Sequence, residues 1–118
     1  MFKRDLDLDR KWNSLLNELQ GIIGKKPKDL NGVLFLIGVQ ELGHGTKIFS
    51  KEEKQDLMHI GICKVLSLSG YYILDGLDKD GWPHYKVKEQ LPALKAGEQS
   101  VLMKEAIVNY FLERQLIE

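Results

Sequence analysis

Residues 29–43 read Asp-Leu-Asn-Gly-Val-Leu-Phe-Leu-Ile-Gly-Val-Gln-Glu-Leu-Gly, and the fold turns on whether the apolar run inside them, Val33–Leu42, is a helix or a strand. The five residues Val33–Ile37 fit either, because a short continuous apolar run carries no periodicity. The flanks favour a helix over Leu30–Leu42. Asp29 is suited to accept hydrogen bonds from the first free amides, and Gly43 to leave the helix in a left-handed conformation. Nothing nearby looks like a set of partner strands. The helix is apolar on nearly every side, so it is expected to be surrounded by other helices or partly covered by a second subunit. Gly32 and Gly38 each cost about 1 kcal/mol relative to alanine within a helix. Close approach of a neighbouring helix would offset that cost.

Working outward, Trp12, Leu15, Leu16, Leu19, Ile22 and Ile23 recur at three- and four-residue steps. They predict an amphipathic helix from about Asp9 to Ile23, capped by Asp7 or Asp9 and ended by Gly24 and Pro27. Downstream, Ser50 followed by Glu53 is a capping box, predicting a helix to about Ser69 that Gly70 ends. Residues 71–88 change character. Tyr71, Tyr72, Ile73 and Leu74 favour extended structure, Asp78-Lys79-Asp80-Gly81 is a turn signal, and Pro83 argues for an edge or a bulge. A last amphipathic helix is expected from about Glu98 to Leu116, carrying Val101, Leu102, Ile107, Val108, Phe111 and Leu112. The expected architecture is mainly α, one helical domain over residues 1–118. About four helices pack around a central apolar helix, with one short β-hairpin near residues 71–88.

Composition narrows the classes. A chain of 118 residues, 43% hydrophobic and 29% charged, suits one globular core. Seventeen basic and seventeen acidic residues cancel, and neither half is polarised. No broad basic field is offered to nucleic acid or to an anionic membrane. The cluster Lys25-Lys26-Pro27-Lys28 is a local exception, too small for a DNA grip that neutralises roughly 6–10 phosphates. The lone cysteine, Cys63, cannot form an intramolecular disulfide. Met1–Arg10 has no apolar core of a secretory signal, and no run approaches the ~20 residues that span a bilayer. A cytoplasmic protein is expected.

Candidate chemistry is sparse. With Gly81 at the sixth position of an EF-hand loop, Asp78 and Asp80 fall on ligand positions, but Gly76 stands first and Val87 twelfth. The closing bidentate glutamate is therefore missing, and a polar turn is the better reading. His59 and Cys63 are four apart and share a helix face, the spacing at which two ligands hold one metal. Further ligands would have to come from Glu41, His44 or His84, which lie in separate segments. No metal or cofactor is assigned. Cys63 sits in an apolar stretch where a thiolate is disfavoured, and Ser67 and Ser69 lack a nucleophile-elbow context. No phosphate-cradling glycine motif is present. Gly43-His44-Gly45 reads first as a helix stop and a loop; the alternative is a flexible turn that exposes His44 to a ligand. Tyr71, Tyr72, Trp82, His84 and Tyr85 fall within fifteen residues, either as interface anchors on the hairpin or as rings closing the side of the core.

The order helix, helix, helix, hairpin, helix invites comparison with a winged-helix DNA-binding module. The third helix, however, sets Lys51, Lys54 and Lys64 against Glu52, Glu53 and Asp56, and the wing would carry Asp75, Asp78 and Asp80. Three stretches, DLNGVLFLIGVQELG (29–43), FSKEEKQDLMHIGICKVLSLSGYY (49–72) and GLDKDGWPHY (76–85), resemble a family of small uncharacterised bacterial proteins of the Bacteroidetes type. The resemblance spans most of residues 29–112. It implies a bacterial, cytoplasmic protein and carries over no catalytic residue.

The sequence reads best as a non-catalytic domain that binds a protein partner or a second copy of itself. A small-ligand or metal binder using His44, His59 and His84 is one alternative, and a winged-helix regulator another. The speculative binding residues are Glu41, His44, Tyr71, Tyr72, Trp82, His84 and Tyr85.

Overall fold

The computed structural model describes residues 6–24, 26, 27, 29–45 and 48–114. The expectations placed on the side chains of Ile22 and Ile23, on Lys25 and Lys28, and on Leu116 lie outside the described residues. Helices α1 (Leu6–Ile23), α2 (Leu30–Leu42) and α3 (Lys51–Leu68) are followed by strands β1 (Tyr72–Leu77) and β2 (Pro83–Val87), then helix α4 (Ala96–Glu113). The protein is mainly α with one short antiparallel hairpin, as its sequence predicts. The chain divides into two compact units, one from residues Met1–Lys28 and Pro92–Glu118, the other from Asp29–Leu91.

In the first unit, α1 buries Leu8, Trp12, Leu15 and Leu19, which lie on one helical stripe. The helix starts earlier than the sequence suggested. Asp7 and Asp9 lie in its first turn rather than at its cap, where their charges still complement the helix dipole. Asp7 pairs with Arg10 and Lys11 at 3.6 and 3.1 Å. From α4, Ala106, Ile107, Val108, Tyr110 and Phe111 are buried. Tyr110 and Phe111 meet edge to face at 5.2 Å. Lys104 lies over the Trp12 ring, 5.5 Å from its centre, a cation–π contact that ties α4 to α1. Glu98 reaches back to accept from the Lys95 amide at 3.2 Å, so α4 begins two residues before its predicted start.

In the second unit, local signals set the helix ends. The Asp29 carboxylate accepts from the Gly32 amide at 3.0 Å, and Gly43 leaves α2 at φ 71° while donating to the Val39 carbonyl. The Ser50 hydroxyl accepts from the Glu53 amide while Glu53 accepts from the Ser50 amide, closing the capping box of α3.

Packing between α2 and α3 rests on a reciprocal glycine contact. A Cβ on Gly38 would overlap the carbonyl oxygen of Leu57 and lie 2.6 Å from its carbonyl carbon. A Cβ on Gly61 would overlap the carbonyl oxygen of Leu34 in the same way, 3.0 Å from its carbonyl carbon. Gly38 is one turn beyond Leu34 and Gly61 one turn beyond Leu57, so each helix lays its glycine on the other's backbone at one crossing point. The close approach expected to offset Gly38 is therefore present, and it requires a second glycine on α3. Leu42, Phe49, Leu57 and Ile60 form a buried cluster beside the crossing, with Phe35, Val39, Trp82 and Tyr85 packed against it.

The hairpin packs against α3. Its strands pair Tyr72 with Val87, Ile73 with Lys86 and Leu74 with Tyr85, then shift register between Leu74 and Gly76. The bulge thus falls at Asp75 on β1. Pro83 instead opens β2, a position where a strand needs no donated amide.

Candidate active or binding cleft

An open cleft of about 630 Å³ lies within the second unit. Three segments wall it. Helix α3 contributes Glu53, Asp56, His59 and Ile60; the stretch after α2 contributes His44; the hairpin contributes Asp78, Asp80, Trp82, Pro83 and His84. All three histidines of the chain therefore line one space, although they are far apart in sequence.

Each wall has a local cause. Glu53, Asp56 and His59 recur at three-residue steps, which places them on one stripe of α3. His44 stands between two left-handed glycines, Gly43 at φ 71° and Gly45 at φ 75°, in the stretch that stops α2 as expected, and it is exposed. A Cβ on Gly81 would lie 3.4 Å from His44 Nε2, and Gly81 itself sits at φ 85°. The glycine thus serves the turn geometry and leaves room for the imidazole.

Asp78 organises the hairpin turn. One carboxylate oxygen accepts from the amides of Asp80 and Trp82 at 2.9 and 3.0 Å; the other meets His84 Nε2 at 3.0 Å. The hydrogen bond to His84, then those from the two amides, hold the Asp78 carboxyl below its ordinary value. This is a polar turn stabilised by its own aspartate. Asp75 instead pairs with Lys86 across the strands at 3.6 Å.

The site residues proposed from sequence divide. His44, Trp82 and His84 line the cleft, with His59 beside them. Glu41 does not; it pairs with Lys64 at 3.6 Å, joining α2 to α3. Trp82 and Tyr85 are half-buried against the Leu42–Ile60 cluster, so two rings close the side of the core. Tyr71 and Tyr72 are also half-buried, outside the cleft lining. Cys63 Sγ lies 3.5 Å from His59 Nε2, so the predicted shared face is real, but the sulfur is buried while His59 is exposed. Burial pushes the Cys63 thiol up to about 11. Among the described residues no three His, Cys, Asp or Glu side chains are placed to hold a metal ion.

Sequence reasoning passed over Glu53 and Asp56 as cleft residues. Their three-residue spacing with His59 was the available signal, hidden by the roles already given to Glu53 in the cap and to Asp56 in the charge balance of α3.

Chemically, the described lining offers carboxylates, imidazoles and an indole, and no hydroxyl, thiol or amine nucleophile. These groups offer hydrogen-bonding, charged and aromatic contacts. No protein-family model matches the chain, and no curated protein or solved structure matches it. No helix among the described residues is long and apolar enough to cross a membrane.

Proposed function

We propose that the protein is a non-catalytic binding domain and that the cleft between α3 and the hairpin is its binding site. The convergence of His44, His59 and His84 from three segments carries this reading. A volume of about 630 Å³ falls within the range of small-ligand sites, roughly 300–1,000 Å³. The mixed lining, with Ile60, Trp82 and Pro83 beside polar groups, matches their usual composition. Catalysis through Cys63 is disfavoured, because a buried thiol held up at about 11 is hardly ionised near neutrality. The acidic groups along this face of α3 and on the hairpin repel phosphate, which disfavours the winged-helix reading. A fragment screen followed by ¹⁵N-resolved spectra tests the site. Ligands should shift the resonances of His44, His59, Trp82 and His84 together; a screen whose hits all map elsewhere would retire it.

A second reading is self-association through the hairpin. Leu74, Leu77 and Val87 are 52%, 66% and 59% exposed, a group of large apolar side chains on two short strands.

A further inference from the structure

Resting on the reading of the cleft as a binding site, we infer that its ligand is an organic cation, a protonated amine or guanidinium. The charge of the lining comes first. Glu53, Asp56, Asp78 and Asp80 face the cleft, and no lysine or arginine is among the described residues that line it. Two of these carboxylates are already used within the fold, Glu53 in the capping box and Asp78 in the turn. Asp56 and Asp80 are different. Neither carboxylate has a hydrogen-bond or ion-pair partner among the described residues. They come from separate elements, α3 and the hairpin, and the fold brings them to one cavity without a countercharge.

The remaining lining fits the same ligand. Trp82 supplies an indole, the aromatic ring that attracts cations most strongly. An imidazole nitrogen with a free lone pair accepts hydrogen bonds from ammonium or guanidinium N–H groups; His44 presents its ring to the cleft, while His84 Nε2 already meets Asp78 and His59 Nε2 already meets Cys63. A metal ion fits less well, because no three donors are placed to coordinate one among the described residues. An anion would face four carboxylates. The cation has two sources, a free polyamine or the basic side chain of another protein, and both present the same chemistry.

The test uses the full chain near neutral pH. Spermidine, agmatine and a short acetylated Lys-Gly-Lys amide are titrated separately and followed by ¹⁵N-resolved spectra and calorimetry. Binding should shift the Trp82 indole and the three histidines, and should weaken as NaCl rises from roughly 20 to 200 mM, as an exposed charge contact does. The double variant Asp56→Asn/Asp80→Asn should lose at least about tenfold in affinity, since charge-assisted hydrogen bonds become neutral ones. Glu52→Gln, on α3 outside the cleft, should change nothing. Circular dichroism confirms that both variants fold. Stronger binding of the free amines than of the peptide assigns a small-molecule source, and the reverse assigns a partner's side chain; either supports the inference. Neutral fragments or inorganic phosphate binding in the cleft while all three cations fail would overturn the cation but keep the cleft as a binding site. Failure of every probe at the cleft would overturn both.

Discussion

Asp78 lies at the surface with its side chain about one-third exposed, and its carboxylate serves three partners at once, the amides of Asp80 and Trp82 and the ring of His84. A carboxyl whose folded value is depressed contributes to stability above its unfolded value, about 3.9 for an aspartate. That contribution is lost as the pH falls through the lower folded value. The Asp80 and Trp82 amide resonances should therefore titrate with a midpoint below about pH 3.9, and Asp78→Asn should remove that transition. A midpoint at or above the ordinary aspartate value would show that the turn does not depend on the charge. Cys63 gives a second residue-scale expectation. With its thiol at about 11, only about one part in a thousand is thiolate at pH 8. Iodoacetamide should label the folded protein on the order of a hundredfold more slowly than the urea-unfolded chain. Comparable rates would mean that the sulfur is reached from the cleft through His59.

At the scale of elements, the crossing of α2 and α3 depends on two atoms that are missing. Gly38→Ala gains roughly 1 kcal/mol of helix propensity, but its methyl overlaps a carbonyl that belongs to a helix and cannot rotate away. Overpacking of this kind costs about 1–3 kcal/mol and occasionally more. Because the obstacle is backbone, the upper end applies, and each of Gly38→Ala and Gly61→Ala should lower stability by about 2 kcal/mol net. Gly21→Ala is the control: α1 leaves open space there, so the same change should stabilise by about 0.4–1 kcal/mol. Chemical denaturation of the three variants measures this, and a neutral Gly38→Ala would refute the tight crossing. The same elements show what could be read in advance. The boundaries of α2 and α3 were legible because Asp29, Gly43, Ser50, Glu53 and Gly70 act on their own neighbours within a few residues. The importance of Gly38 was legible too, since a glycine inside an apolar helix asks for close packing. Its counterpart Gly61 was not, because which residue of α3 meets Gly38 is decided by the crossing. The three histidines were legible as candidate ligand-binding residues, but their convergence was not, because His44, His59 and His84 lie in separate segments and only tertiary structure makes them neighbours.

At the scale of the whole molecule, the balance of charge bears on association. Seventeen basic and seventeen acidic residues and an isoelectric point near 6.8 leave almost no net repulsion between copies at neutral pH. Under those conditions exposed apolar groups govern contact. The hairpin supplies them on a sheet of only two strands, which is short of the three or more that make a sheet stable without helix support. An open strand edge bearing Leu74 and Leu77 can be extended by the edge of a second copy, gaining backbone hydrogen bonds and covering the leucines together. Sedimentation velocity should then show an average mass that rises with concentration and is greatest near pH 6.8. Leu74→Lys/Leu77→Lys should hold the protein monomeric, because both positions are exposed in the chain and a lysine on an edge strand opposes pairing. The variant should keep its helical circular dichroism, and spermidine should still shift the cleft resonances, since neither leucine lines the cleft. A wild-type chain that stays monomeric at every concentration tested would remove self-association and leave the cleft as the remaining proposed binding site. An association unaffected by the two lysines would place the contact on another surface.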